Sequence, residues 1–213
     1  MDLSTINISG GISWICSVAL FVVSLLYCYR KGCPQYLRSF PIYCLGNLLP
    51  ELLVVLHIAP ANIANFAYTI FELTYFSYFL SKVIRRRGFL VILWGLDTFY
   101  FLYIAHLIIK YRRVGIGDPE IGEAFILILA SLIYYILIFT ERSTLPLNRT
   151  PSFWIVTGIL FYMVLFFPTL LMYGYYFTIH KFQVAALYYW VNSVAVTAAY
   201  FLYAKGMLCW KKT

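Results

Sequence analysis

The 213-residue sequence predicts an all-α fold, a polytopic membrane bundle of seven transmembrane helices with the N-terminus outside and the C-terminus inside. Three observations carry this reading. Hydrophobic residues make up 63% of the chain and charged residues only 11%, against roughly 25% charged in an ordinary soluble domain. Seven apolar stretches each approach or exceed the about 20 residues needed to cross a hydrocarbon core about 30 Å thick. Finally, twelve of the sixteen Lys and Arg residues fall on one alternating set of connections and tails, the side expected to face the cytoplasm.

The stretches come in order. The first, 11–29, has Asp2 and no basic residue ahead of it, and its apolar run is too long for a signal-peptide core, so it is expected to remain as a span. The second, 39–58, carries Asn47, Pro50 and Glu51. The third, 63–84, ends at Arg85-Arg86-Arg87, a topology signal with a minor role in anionic-lipid contact. The fourth, 88–109, precedes the only basic cluster on the predicted outer side, Lys110 to Arg113, which Asp118, Glu120 and Glu123 partly offset. The fifth is 121–139. The sixth, 153–177, follows a Pro151-Ser152 start signal and contains Pro168, which is expected to kink or hinge it. The seventh is 182–203. All seven are continuously apolar rather than alternating every second residue, so a closed β-barrel is not expected.

Composition also excludes functions. The net charge of +8 is spread among apolar runs instead of forming a basic face, which argues against nucleic-acid binding and against disorder. Every connection is short, so the chain reads as one domain, 1–213, with no soluble domain. Any function is expected from the bundle itself or from a partner. Cys16, Cys28, Cys33, Cys44 and Cys209 lie within spans or at the cytoplasmic edge, and no disulfide, cofactor or metal is expected. Aromatic residues form 20% of the chain, and interfacial belts and bulky packing account for most of them.

The polar residues at membrane depth point to chemistry. An Asp or basic residue at a helix centre costs about 2.5 to 3.5 kcal/mol on insertion scales, so each is a functional candidate. Glu51, Glu72 and Asp97 are expected about 14 to 18 Å from a span end, near mid-depth. Asn192 and Ser131 reach a similar level. Asn47 and Glu51 share a helical face; Asn65, Tyr68, Glu72, Tyr75 and Phe79 form a stripe at spacings of three and four; Trp94, Asp97, Tyr100 and Phe101 form another. These patterns predict an acidic and aromatic cavity with ligand-binding residues Asn47, Glu51, Tyr68, Glu72, Tyr75, Trp94, Asp97, Tyr100 and Asn192. No Lys or Arg sits at that depth, so a carboxylate there must be protonated, share a proton, or meet water or a cation. The bland alternative is that these groups only join helices through hydrogen bonds worth about 0.6 kcal/mol each. His57, His106 and His180 are expected at outer helix ends and are weak candidates for a metal or a pH sensor, because they lack any short ligand spacing.

Four families can be tested on these residues. Microbial rhodopsins need a lysine in the middle of the last helix, where this chain has only Lys205 at the cytoplasmic end. Ceramidase-like zinc hydrolases need a late histidine pair, and the seventh span has no histidine. In size, span number and buried acids the chain resembles the small membrane-bound terpene cyclases, a resemblance that implies acid catalysis on an isoprenoid. Asn47 to Glu51, Tyr68-Thr69-Ile70-Phe71-Glu72 and Pro151-Ser152-Phe153-Trp154 leading into Gly158 resemble small bacterial seven-helix membrane proteins of uncharacterised activity, which supports the architecture alone.

Three functions follow. The first is a binding or sensing module that holds a lipophilic or cationic small molecule in the bilayer and acts with a partner protein or as a homo-oligomer. The second is a membrane enzyme with Glu51, Glu72 and Asp97 as candidate general acids and bases on a lipid or isoprenoid. The third is a proton or cation pathway. The first is preferred, at the plasma (inner) membrane.

Overall fold

A computed structural model describes residues 3–29, 33–58, 60–111, 118–140, 147–177 and 182–209. Among them the chain is all-helical without strands. Seven α-helices follow one another: α1 (Leu3–Cys28), α2 (Phe40–Val55), α3 (Ala61–Val83), α4 (Arg87–Tyr111), α5 (Asp118–Thr140), α6 (Pro151–Phe177) and α7 (Phe182–Cys209). Single 3-10 turns at Gln35–Leu37 and Leu147–Arg149 precede α2 and α6. The seven predicted stretches each fall on one helix.

Four helices, α1, α4, α5 and α6, are long and apolar enough among the described residues to cross a membrane, which makes this an integral membrane protein. The distribution of polarity agrees. Val91, Phe99, Ile109, Ile136, Phe139 and Phe201 are each more than 60% exposed, a surface that water would not tolerate and lipid does. Buried inside instead are Ser17, Ser24, Thr69, Glu72, Ser77, Asp97, Glu123, Ser131 and Ser193. The remaining helices have different reasons for falling short. With 16 residues, α2 extends only about 24 Å. The inner faces of α3 and α7 carry amide, hydroxyl and carboxylate side chains.

The packing order sets up the site. α1 packs on α2 and α7, α2 on α3, α3 on α5, α5 on α6, and α6 on α7, so six helices close a ring. α4 is left outside it, against α3 and α5. α6 and α7 approach closely because Gly158 and Gly206 leave no side chain between them. A Cβ at Gly206 would sit 2.9 Å from the Pro151 carbonyl oxygen, and one at Gly158 would sit 2.6 Å from the Tyr203 ring. Lys205 lies over the Trp154 ring, 3.5 Å from its centroid, on the same α6–α7 seam.

α6 starts at Pro151, as its sequence predicts, while α2 and α6 run on as helices through Pro50 and Pro168. α2 ends with His57 in the left-handed region at φ 56°, which lets the Ile58 amide reach back to the Leu53 carbonyl at 2.9 Å.

Candidate functional site

Inside the six-helix ring lies a cavity of about 220 Å³. All six ring helices line it, and α4 does not. The lining comes from the early part of α1 (Ser13), the late part of α2 (Asn47, Pro50), the first half of α3 (Asn65, Tyr68, Thr69, Glu72) and the start of α5 (Glu120, Glu123). The second half of α6 (Tyr162, Phe166) and α7 (Asn192, Val196, Tyr200) complete it. Short connections make neighbouring helices antiparallel, so these segments share one end of the bundle, where α1 begins.

Tyr43 and Tyr203 line the cavity as well and, with Phe40 and Phe76, form a buried aromatic layer on the side away from that end. Tyr43 stacks on Tyr75 at 5.0 Å, meets Phe76 at a tilt at 4.7 Å, and Phe40 meets Tyr203 edge-on at 5.6 Å, centroid to centroid. Such ring contacts pack closely. The cavity therefore has an aromatic floor.

Glu72 stands at the floor, about 16 Å along α3 from Ala61. The Tyr43 hydroxyl donates to its Oε1 at 2.9 Å. Glu123, about 8 Å into α5, is 2% exposed, lies within electrostatic reach of Glu72 and Glu120, and its Oε1 has no hydrogen-bond partner among the described residues. On the facing wall α1, α2 and α7 are tied by a polar knot. Ser17 Oγ donates to the Tyr200 hydroxyl at 3.1 Å, and the Asn47 amide donates to both Ser17 Oγ (3.2 Å) and the Tyr200 hydroxyl. One turn nearer the mouth Ser13 and Ser193 pair at 3.1 Å, and the buried Asn192 Oδ1 is left without a partner among the described residues.

The predicted site residues divide. Asn47, Tyr68, Glu72 and Asn192 line the cavity together. Tyr75 lies beneath it, within the aromatic floor, its hydroxyl 3.4 Å from Ser39 Oγ. The residues of α4 go elsewhere. Trp94 is 43% exposed on the outer surface, and the Tyr100 hydroxyl donates to the Pro119 carbonyl at 3.0 Å to hold the α4–α5 junction. Asp97 is buried facing Ser77 of α3, without closing a hydrogen bond to it. The single polar layer expected from depth is thus two separate places, because α4 packs on the back of α3 instead of joining the ring. Ser131 is also buried away from the cavity. The side chain of Glu51 and all of His180 lie outside the described residues. His57 is exposed at the α2 end and His106 is exposed on α4. Among the described residues no three His, Cys, Asp or Glu side chains converge as metal ligands.

The sequence reading missed Glu123, Tyr162, Phe166 and Tyr200. Glu123 was grouped with the charges that offset a basic loop, although it lies inside the fifth stretch, three residues from Glu120 and four from the buried Leu127. In α7 the run Asn192, Val196, Ala199, Tyr203 keeps spacings of four and three and could have marked the lining face.

No known protein family, curated protein or solved structure matches this chain.

Proposed function

We propose that all seven helices span the plasma membrane, N-terminus outside and C-terminus inside, and that the chain is a ligand-binding or sensing module whose cavity opens to the outer face. The observation that carries this is the closed six-helix ring around a cavity with an aromatic floor and with Glu72 and Glu123 buried in its wall. Irregular polarity at membrane depth is tolerated where it lines a cavity, which fits α3 and α7, the longer helices that lack a fully apolar span. The basic residues favour the same orientation, twelve on the inner side against four on the outer. In this reading the response to a bound ligand passes to a partner protein.

One feature favours binding over conduction. The aromatic floor of Tyr43, Phe40, Phe76 and Tyr203 stands across the route that conduction needs. The test is mass spectrometry of small molecules that copurify with the protein. A molecule retained by the natural chain and by Asp97→Asn, and lost from Glu72→Gln, is the expected result. Equal content in all three overturns the reading.

A further inference from the structure

The chemistry of the cavity wall narrows the ligand. Among the described lining residues there are three carboxylates, Glu72, Glu120 and Glu123, and no Lys, Arg or His. Such an excess of one charge in a low-dielectric site repels anions and favours a cation. Acidic clustering alone is not a site, but two further observations point inward. Glu123 is 2% exposed with Oε1 unpartnered among the described residues, and the Asn192 Oδ1 acceptor is likewise unpartnered. Both are acceptors, so the missing partner is a donor or a positive charge. The rest of the wall is aromatic: Tyr68, Tyr162, Phe166 and Tyr200 stand with Glu72 and Glu123 around one space. Aromatic faces beside a carboxylate are the arrangement that holds alkylammonium groups, through the ring quadrupole and the counter-charge together.

A cavity of about 220 Å³ has room for a small organic cation among these side chains. We infer that the cavity binds a small organic ammonium cation, with Glu123 and Glu72 as counter-charges and Tyr68, Tyr162, Phe166 and Tyr200 as the surrounding aromatic wall. This rests on the ligand-binding reading and adds the ligand's charge to it.

The probes are choline and its uncharged carbon isostere 3,3-dimethylbutan-1-ol, titrated calorimetrically against the full chain in nanodiscs. Choline is expected to bind at least tenfold more tightly than the alcohol. Glu123→Gln is expected to lower choline affinity at least tenfold, and Phe166→Leu about threefold, with Asp97→Asn unchanged. Because Glu123→Gln removes a buried acid, its circular dichroism and melting temperature are recorded alongside. If it fails to fold, the Phe166→Leu result and the comparison of the two probes decide alone. Equal affinity for choline and the alcohol overturns the cation assignment. So does absence of choline binding at 100-fold excess over protein together with a neutral copurifying molecule that Glu72→Gln loses, an outcome that leaves the binding reading intact. Absence of both probe binding and any copurifying molecule overturns the two together.

Discussion

Tyr43→Phe removes one atom from the floor of the cavity and tests whether Glu72 is held there by a hydrogen bond. Tyr43 is 2% exposed, and its hydroxyl donates to Glu72 Oε1 at 2.9 Å. The ring keeps its contacts with Phe76, Tyr75 and Phe40 at 4.7, 5.0 and 5.4 Å, so packing is preserved and the change isolates the hydroxyl. Side-chain hydrogen bonds inside membrane bundles average about 0.6 kcal/mol, with a maximum near 1.7. An acceptor left buried without any replacement would cost about 1 to 3 kcal/mol. Here the cavity beside Glu72 admits water as a substitute donor, which places the expected loss near 1 kcal/mol, about a fivefold fall in the folded to unfolded ratio. Denaturant-driven equilibrium unfolding in mixed micelles measures it. Repeating the change in a Glu72→Gln background reads the charge on Glu72. An amide oxygen accepts the same donor, so a neutral acid gives additive losses, whereas a charge-assisted bond is roughly twice as strong and gives a coupling of about 0.5 to 1 kcal/mol. A loss below about 0.3 kcal/mol, or an undiminished loss when Glu72 is replaced by Leu, refutes the assignment of this bond as a support of the floor.

Three further outcomes follow from the geometry. Gly206→Ala places a methyl group 2.9 Å from the Pro151 carbonyl oxygen and 3.0 Å from Ile155 Cγ1. Backbone cannot swing aside as a side chain can, so α6 and α7 must separate by a few tenths of an ångström, costing about 1 to 3 kcal/mol in the same unfolding assay; an unchanged stability would mean the seam is looser than described. His57→Gly removes the strain of a left-handed non-glycine residue, worth about 1 to 2 kcal/mol against about 0.5 to 1 kcal/mol of added unfolded-state freedom. A small gain of about 0.5 to 1 kcal/mol is expected, and a loss would show that the imidazole makes a contact that matters. Cys33 lies between α1 and α2, nearly fully buried, and burial pushes its thiol above the usual range. The thiolate is the reactive form, so Cys33 should alkylate more slowly at neutral pH than a free cysteine and its rate should level off at a higher pH. A rate that levels off below pH 8 would contradict the burial.

Much of the architecture was legible in the sequence, because span length and apolarity are set by the bilayer and not by the fold. The stripe of α3 was equally legible: Asn65, Tyr68 and Glu72 repeat at helical spacing and do line one cavity. What one-dimensional depth cannot reveal is which helices are neighbours. Asp97 and Glu72 lie at comparable depth, yet chain order suggests that α4 sits between α3 and α5, while the ring closes by direct contact of α3 with α5. Gly122 contributes to that exclusion, since the Tyr100 ring occupies the space its Cβ would need, with ring atoms 2.8 Å away. A glycine at the start of an apolar stretch gives no such signal in the sequence.

The two acids that depth alone made equivalent therefore have different physical meanings. Glu72 has a donor on one oxygen, a cavity beside it and a second acid across the space. Its burial is accompanied by room for something else to arrive. Asp97 is as deeply buried, 2% exposed, with neither oxygen partnered among the described residues, and it does not line that cavity. A group in that position can at most tie α4 to α3 through Ser77 or a trapped water, and replacing it by Asn, which keeps one acceptor and adds a donor, should leave ligand binding untouched and stability within about 1 kcal/mol. The distinction generalises within this bundle. Polar side chains on α3 and α7 reduce the apolarity of those helices and line the cavity, whereas Asp97 on α4 and Ser131 on α5 do not line it. Burial of a charge-bearing group marks it as costly, and only the presence of an open volume next to it turns that cost into a reason to look for a ligand.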